Sequence, residues 1–259
     1  MNIYVYDGNF DSLISLCAEL IASKITPENI MTEDKSHGYL FDKIYLSFNQ
    51  NLYDRLNSRL NQISKTAYAH ICAAFLSETE GMEIKIYNYI QTVLRLSLEK
   101  NISQQKIDDY LENFADSSIR ELNQLSKKVY IERHRFLGLI RFSELSDKTL
   151  YAQFEPDHNI SLLLAPHFKQ RLPKDNWIIH DIARGIGAVY DKEKNDYILC
   201  GLENTAGIIY SEEENAFRQI WQRYWKEIAI PERKNPKCQL NFMPKRYWKH
   251  LTETENLNR

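Results

Sequence analysis

The sequence predicts an α+β fold, with a mainly helical N-terminal half followed by a small antiparallel sheet with packed helices. Three observations lead there. From Asn49 to about Leu98 apolar residues recur at helical spacing, and Leu52, Leu56, Leu60 and Ile63 share one stripe. Near Phe136 that period gives way to short runs rich in β-branched and aromatic residues. Helical patterns then return between and after those runs, which argues against an all-β domain. The change of period separates residues 1–125, a strand–helix segment with a helical region, from residues 126–259, an α+β domain with a basic C-terminal segment.

Each element has a local reason. "NIYVY" is a β-rich run ended by the turn pair Asp7-Gly8, and Asn9 or Asp11 is placed to cap a helix over "SLISLCAELIA". Residues 24–42 hold turn formers and charges and read as a connector, after which "KIYLSF" returns as a strand. "YAHICAAFL" and "IKIYNYIQTVLRLSL" read as helices separated at Gly81. Asp116-Ser117 is placed to cap a long helix whose buried stripe runs through Ile119, Leu122, Leu125 and Val129. "FLGLIRFSEL" and "LYAQFE" flank the turn residues "SDK" and read as a β-hairpin. An apolar helical stretch follows from Ile160, which Pro166 must start, kink or end. "WIIHDI", "GAVYD" and "DYILCGL" are short strands, and a strong helix runs from about Glu212 to Ile228. In that helix Phe217, Ile220, Trp221, Tyr224, Trp225 and Ile228 recur at steps of three and four, which predicts a face packed on the core.

The composition excludes several classes. With 259 residues, 43% of them hydrophobic, and a formal net charge of −2, the chain is globular, and any polyanion-binding surface must be local. Its four cysteines, Cys17, Cys72, Cys200 and Cys238, lie far apart and form neither C-x-x-C nor a radical-SAM cluster motif, as expected of reduced cytosolic thiols. No apolar run approaches a membrane span, and "MNIYVYDGNFDS" lacks the positive start of a signal peptide, so a soluble cytoplasmic protein is expected. There is no Walker loop, no G-x-G-x-x-G and no G-x-S-x-G, so no cofactor is expected.

Two groups of residues carry chemistry. The first is basic: from Arg218 through Lys249 there are nine Lys or Arg against Glu227 and Glu232. Within it Arg233, Lys234, Lys237, Lys245 and Arg246 are spaced among prolines that limit the entropy lost in holding them to phosphates, and Trp248 offers a ring for stacking. "KKVYIERHRFLGLIR" adds Arg133, Arg135 and Arg141. Charge alone leaves a solvated face equally open. The second group gathers in "FEPDHNISLLLAPHF" and "IIHD": Glu155, Asp157, His158, His167 and His180 are types that exchange protons or ligate metals. Their spacing fits no metal site, so none is expected, and Asp157 or Asn159 as a cap of the next helix is the plainer reading.

Several blocks together resemble a known family: "YVYDGNFDSLI", "ERHRFLGLIRFSEL", "FEPDHNISLLLAPHF", "WIIHDIARG" and "IAIPERKNPKCQLNFMPKRYWKHL". They are similar to an uncharacterised bacterial family of DNA-metabolism or DNA-repair proteins that accompany a separately encoded radical-SAM DNA-repair protein. Related C-terminal regions occur fused to a uracil-DNA-glycosylase-like domain, which this chain does not contain. The resemblance implies a DNA-repair context and names no catalytic residue. Three expectations follow: a DNA-binding accessory protein, a nucleic-acid-processing enzyme working through Glu155, Asp157 and His158, or a protein-binding adaptor without DNA contact.

Overall fold

A computed structural model describes residues 2–37, 42–99, 102–112, 116–202 and 208–257. It is α+β, and its contacts divide the chain into two compact units, Met1–Tyr130 and Ile131–Arg259.

The first unit opens with β1 (Asn2–Tyr6), α1 (Phe10–Ala22), β2 (Asn29–Thr32), the short α2 (Glu33–Ser36) and β3 (Asp42–Tyr45). These strands form a parallel sheet in the order β2-β1-β3, with Tyr4 opposite Ile30 and Ile44. The sheet corrects one expectation: residues 24–42 are not merely a connector, since β2 and α2 lie within them. Central β1 is buried along Ile3–Tyr6, and α1 returns the chain so that a parallel strand can form beside it. Asn9 occupies the cap position of α1 without a side-chain cap. Asp7 instead holds the turn, accepting from the Asn9 N–H and the Ser12 hydroxyl, each at 2.9 Å. Four helices follow: α3 (Gln50–Ile63), α4 (Lys65–Leu76), α5 (Met82–Leu96) and α6 (Gln104–Leu111). Leu56, Leu60 and Ile63 of α3 join Ile86, Tyr87, Ile90 and Val93 of α5 in one core with Leu13, Leu16 and Leu20 of α1.

The long α7 (Ser117–Leu139) carries the chain from one unit to the next. Asp116 caps it, accepting from the Ser118 N–H at 2.9 Å and the Ser118 hydroxyl at 2.6 Å. Residues 136–139 are therefore helical and not the first arm of a hairpin. The stripe of Leu125, Val129, Phe136 and Ile140 continues at helical steps, and buried apolar contacts outweigh the strand-like composition.

The second unit is built on a five-stranded sheet in the order β4-β5-β6-β7-β8, comprising Ser143–Glu144, Leu150–Phe154, Trp177–Asp181, Ile186–Asp191 and Asp196–Gly201. Its ladders are antiparallel except β5–β6, which run parallel because α8 (Ser161–Arg171) crosses between them. Pro166 lies inside α8; the carbonyl of Leu162, which Pro166 has no N–H to meet, belongs to an exposed residue. Trp177 and Tyr190 stack at 5.1 Å where β6 meets β7. The chain ends in α9 (Glu212–Glu227), a turn at Pro231–Arg233, α10 (Pro236–Phe242) and 3-10 turns at Lys245–His250 and Thr252–Leu257.

One expectation fails in α9. None of its residues is buried, and Phe217, Ile220, Tyr224 and Ile228 stand exposed. The side of the helix turned inward holds Arg218, Trp221, Gln222 and Trp225, all half-buried, and is centred about a quarter-turn away from the apolar stripe. Polar contacts fix that orientation: the Trp221 indole donates to Glu253 at 3.2 Å, Gln222 to the Thr252 carbonyl at 3.0 Å, and Glu214 accepts from the Glu144 N–H at 3.0 Å.

Candidate functional site

Members of the predicted acidic and basic groups, Glu155 and Asp157 with Arg246 and Lys249, meet at one place in the second unit, the loop 155–158, and they meet there to neutralise one another. Glu132 sits at the centre. It occupies the buried stripe of α7 between Val129 and Phe136 and is 3% exposed. One carboxylate oxygen accepts the Asp157 N–H at 2.8 Å and the Tyr247 hydroxyl at 2.6 Å; the other accepts the His158 N–H at 2.8 Å. A buried carboxylate needs such donors, since leaving it unpaired is costly. The Tyr247 ring packs on Phe136 at 4.7 Å, and Phe136 on Phe154 at 5.1 Å, so α7, β5 and the C-terminal segment share one aromatic contact.

Around that centre the charges are paired. Arg246 reaches Asp157 at 2.7 Å, donates to the Tyr247 hydroxyl at 3.1 Å and lies over the Tyr247 ring. Lys249 donates to Glu155 at 2.6 Å, and His250 lies 3.3 Å from the same oxygen. The Lys249 hydrogen bond holds the Glu155 carboxyl below its ordinary range, against the opposing effect of burial. Burial pushes the His250 imidazole below its ordinary range, against the opposing pull of Glu155. Asp181, fully buried at the end of β6, pairs with Arg184 at 2.9 Å, and Arg184 also donates to the carbonyls of Pro156 at 3.1 Å and Asp157 at 2.9 Å. Burial is the main influence on Asp181 and raises its pKa even with Arg184 present.

The remaining predicted residues fall into two sets. Arg133 donates to the Leu163 carbonyl at 2.9 Å and Arg135 to the Asn241 carbonyl at 3.0 Å. Arg141 makes a two-point pair with Glu253 at 2.7 and 3.2 Å, and Trp248 donates to the Met243 carbonyl at 2.9 Å. These side chains hold helix ends and the C-terminal segment. By contrast Arg233, Lys234, Lys237 and Lys245 are exposed, and among the described residues none of them makes an ion pair. Phe242, 72% exposed, and Leu240 stand among them.

The imidazoles do not converge. His158 is half-buried on the loop and His167 half-buried on α8, its ring edge-on to Phe168. His180 is buried on β6 with Nδ1 2.8 Å from the Tyr151 hydroxyl, and burial lowers its pKa. Among the described residues no group of three or more His, Cys, Asp or Glu side chains is arranged to hold a metal. The N-cap position of α8 is Ile160, directly after Asn159. Sequence reasoning missed Glu132, Arg184 and Glu253. The signal for Glu132 was available: a carboxylate on an otherwise apolar stripe, three residues after Val129 and four before Phe136.

The fold and this polar cluster define a two-unit α+β protein whose C-terminal basic segment is pinned to a helix-borne glutamate. A family model described as a domain of unknown function, DUF4130, matches residues 80–253, and the chain belongs to that family. The match takes in α5 to α7 as well as Glu132, loop 155–158, the basic segment and Glu253. No curated protein and no solved structure matches the chain.

Proposed function

We propose that this protein is a DNA-binding accessory protein that holds nucleic acid through residues 231–245 for a separately encoded repair enzyme of the radical-SAM type. The observation that carries the reading is the set of four exposed cations, Arg233, Lys234, Lys237 and Lys245, left without ion pairs among the described residues. Glu232 is the one acidic residue in that span. Cations of this kind bind phosphates without reading bases, and the exposed Phe242 ring suits stacking on an unpaired base, which favours single strands. Arg133, Arg135, Arg141, Arg246 and Trp248 take the role of scaffold, because each is engaged within the protein. The radical-SAM partner and the repair context rest on the family resemblance of the sequence blocks.

An accessory protein also needs a surface for its enzyme. The exposed Phe217, Ile220, Tyr224 and Ile228 of α9 supply a candidate, since uncovered apolar faces of this kind mark interaction sites. The enzyme alternative has less support: Glu155 and Asp157 already serve as partners of Lys249 and Arg246.

The test is anisotropy of a labelled single-stranded oligonucleotide across a salt series. Four phosphate contacts give a log–log slope of about −3, and the Lys234→Ala/Lys237→Ala/Lys245→Ala variant should flatten it to about −1. Binding that ignores salt, or an unchanged slope in the variant, would refute the reading.

A further inference from the structure

The first unit holds a pocket of about 500 Å³ between β2, α2 and the start of α5, lined by Ile30, Met31, Lys35, Glu80, Gly81 and Glu83 among others. Its size lies in the range of small-molecule sites. Ile30 and Met31 give it an apolar side. Glu80 is exposed and Glu83 forms part of the wall.

Glu83 is the unusual member. Its side chain is 2% exposed, and its Oε1 and the neighbouring buried Tyr6 hydroxyl, a donor that faces it, both stand without a formed hydrogen bond among the described residues. The nearest cation is Lys35, whose Nζ stops 4.0 Å from that oxygen on a half-exposed side chain. Buried polar atoms without partners are rare in folded proteins, and an unpaired carboxylate oxygen is among the costlier ones. Burial raises the Glu83 pKa, with the first turn of α5, Lys35 and Tyr6 opposing it only in part, so a cationic donor at Oε1 would relieve a carboxylate that the pocket leaves poorly compensated. A metal is a poor fit, because among the described residues no three ligating side chains converge. An organic cation with N–H donors is a good fit: its donors satisfy Oε1, its charge meets Glu83 and Glu80, and its carbon chain lies against Ile30 and Met31.

We infer that this pocket binds an alkylammonium or guanidinium group, carried either by a free small amine or by a lysine or arginine side chain of another protein. The probes are agmatine, putrescine and the tripeptide Gly-Arg-Gly, titrated into the full chain by isothermal calorimetry, with amide shifts of Lys35 and Gly81 followed by NMR. At least one probe should saturate with a Kd of 1 mM or tighter, on the order of the weakest specific ligands. Glu83→Gln, which keeps the shape and removes the charge, should weaken it at least tenfold, and Glu80→Gln, at an exposed position, by a smaller factor. Choline, a cation without N–H donors, should bind at least tenfold more weakly than the best probe. Agmatine binding well above the tripeptide assigns a free amine, and the reverse order assigns a protein side chain. No saturable binding by any probe, or equal binding by folded Glu83→Gln and wild type, would overturn the inference.

Discussion

Replacing Glu132 with Ala should unfold the second unit far more readily than any nearby change at the surface. The carboxylate accepts from two backbone N–H groups and the Tyr247 hydroxyl, and the substitution leaves all three donors without it. Hydrogen bonds to a charged group are worth roughly 1.5–3 kcal/mol each. The two N–H groups lie on a loop that water reaches, so the lower figure applies to them, and the total is about 5 kcal/mol. Tyr247→Phe removes one of the three bonds but keeps the ring on Phe136, and should cost about 2 kcal/mol. Lys249→Ala breaks an exposed pair to Glu155 and should cost at most about 1 kcal/mol. The assay is urea unfolding followed by tryptophan emission. All four tryptophans, Trp177, Trp221, Trp225 and Trp248, lie in the second unit, so the signal reports on that unit. With a urea slope of about 2 kcal/mol per molar, the Glu132→Ala midpoint should fall by about 2.5 M. A midpoint within 0.3 M of wild type (~0.5 kcal/mol) would refute the role given to Glu132.

Three further outcomes are expected. Glu253→Gln should cost about 2–3 kcal/mol at pH 7, because it unpairs Arg141 from a buried partner. Burial, the largest single influence, opposes ionisation of Glu253, yet Arg141, the Glu253 backbone N–H and the Trp221 indole together outweigh it and lower the pKa. Its stabilisation is thus present above the ordinary carboxylate range and lost as pH falls through the folded value, so the variant should also lose less stability than wild type below about pH 4.5. Ile220→Glu in α9 should leave the urea midpoint within about 0.5 kcal/mol of wild type, since the residue is exposed, while abolishing co-purification of the repair enzyme; a large loss of stability would show that the face is packed. His158→Ala should leave oligonucleotide binding unchanged, and multiple turnover on damaged DNA by wild type, lost in this variant, would revive the enzyme alternative.

Much of the architecture was legible because it follows from periodicity. The stripe through Leu56, Leu60 and Ile63 and the run "NIYVY" each describe local structure that burial then confirms. The failures came where tertiary contacts outrank the local pattern. Residues 136–139 have strand-like composition, but Phe136 and Ile140 extend the buried stripe of α7 and keep the chain helical. In α9 the apolar stripe is real but does not face inward, because Trp221, Gln222 and Glu214 are anchored by polar partners on another side of the helix. The candidate site was half legible. Its residue types and both clusters could be read, but not that Asp157 would meet Arg246 and Glu155 would meet Lys249, about ninety positions apart in sequence. Charge counting cannot distinguish an unpaired cation from one already paired. That distinction reduces the predicted basic surface to Arg233, Lys234, Lys237 and Lys245.

Whether nucleic acid lies along residues 231–245 is tested most directly by photocrosslinking. A single-stranded oligonucleotide carrying a photoreactive thymine analogue is irradiated with the full-length protein, and the adducts are mapped by mass spectrometry. Adducts should concentrate between Pro231 and Lys245, foremost at the exposed Phe242, and be lost when Lys234, Lys237 and Lys245 are replaced by Ala. Adducts confined to other parts of the chain, or undiminished in that variant, would contradict the proposed function.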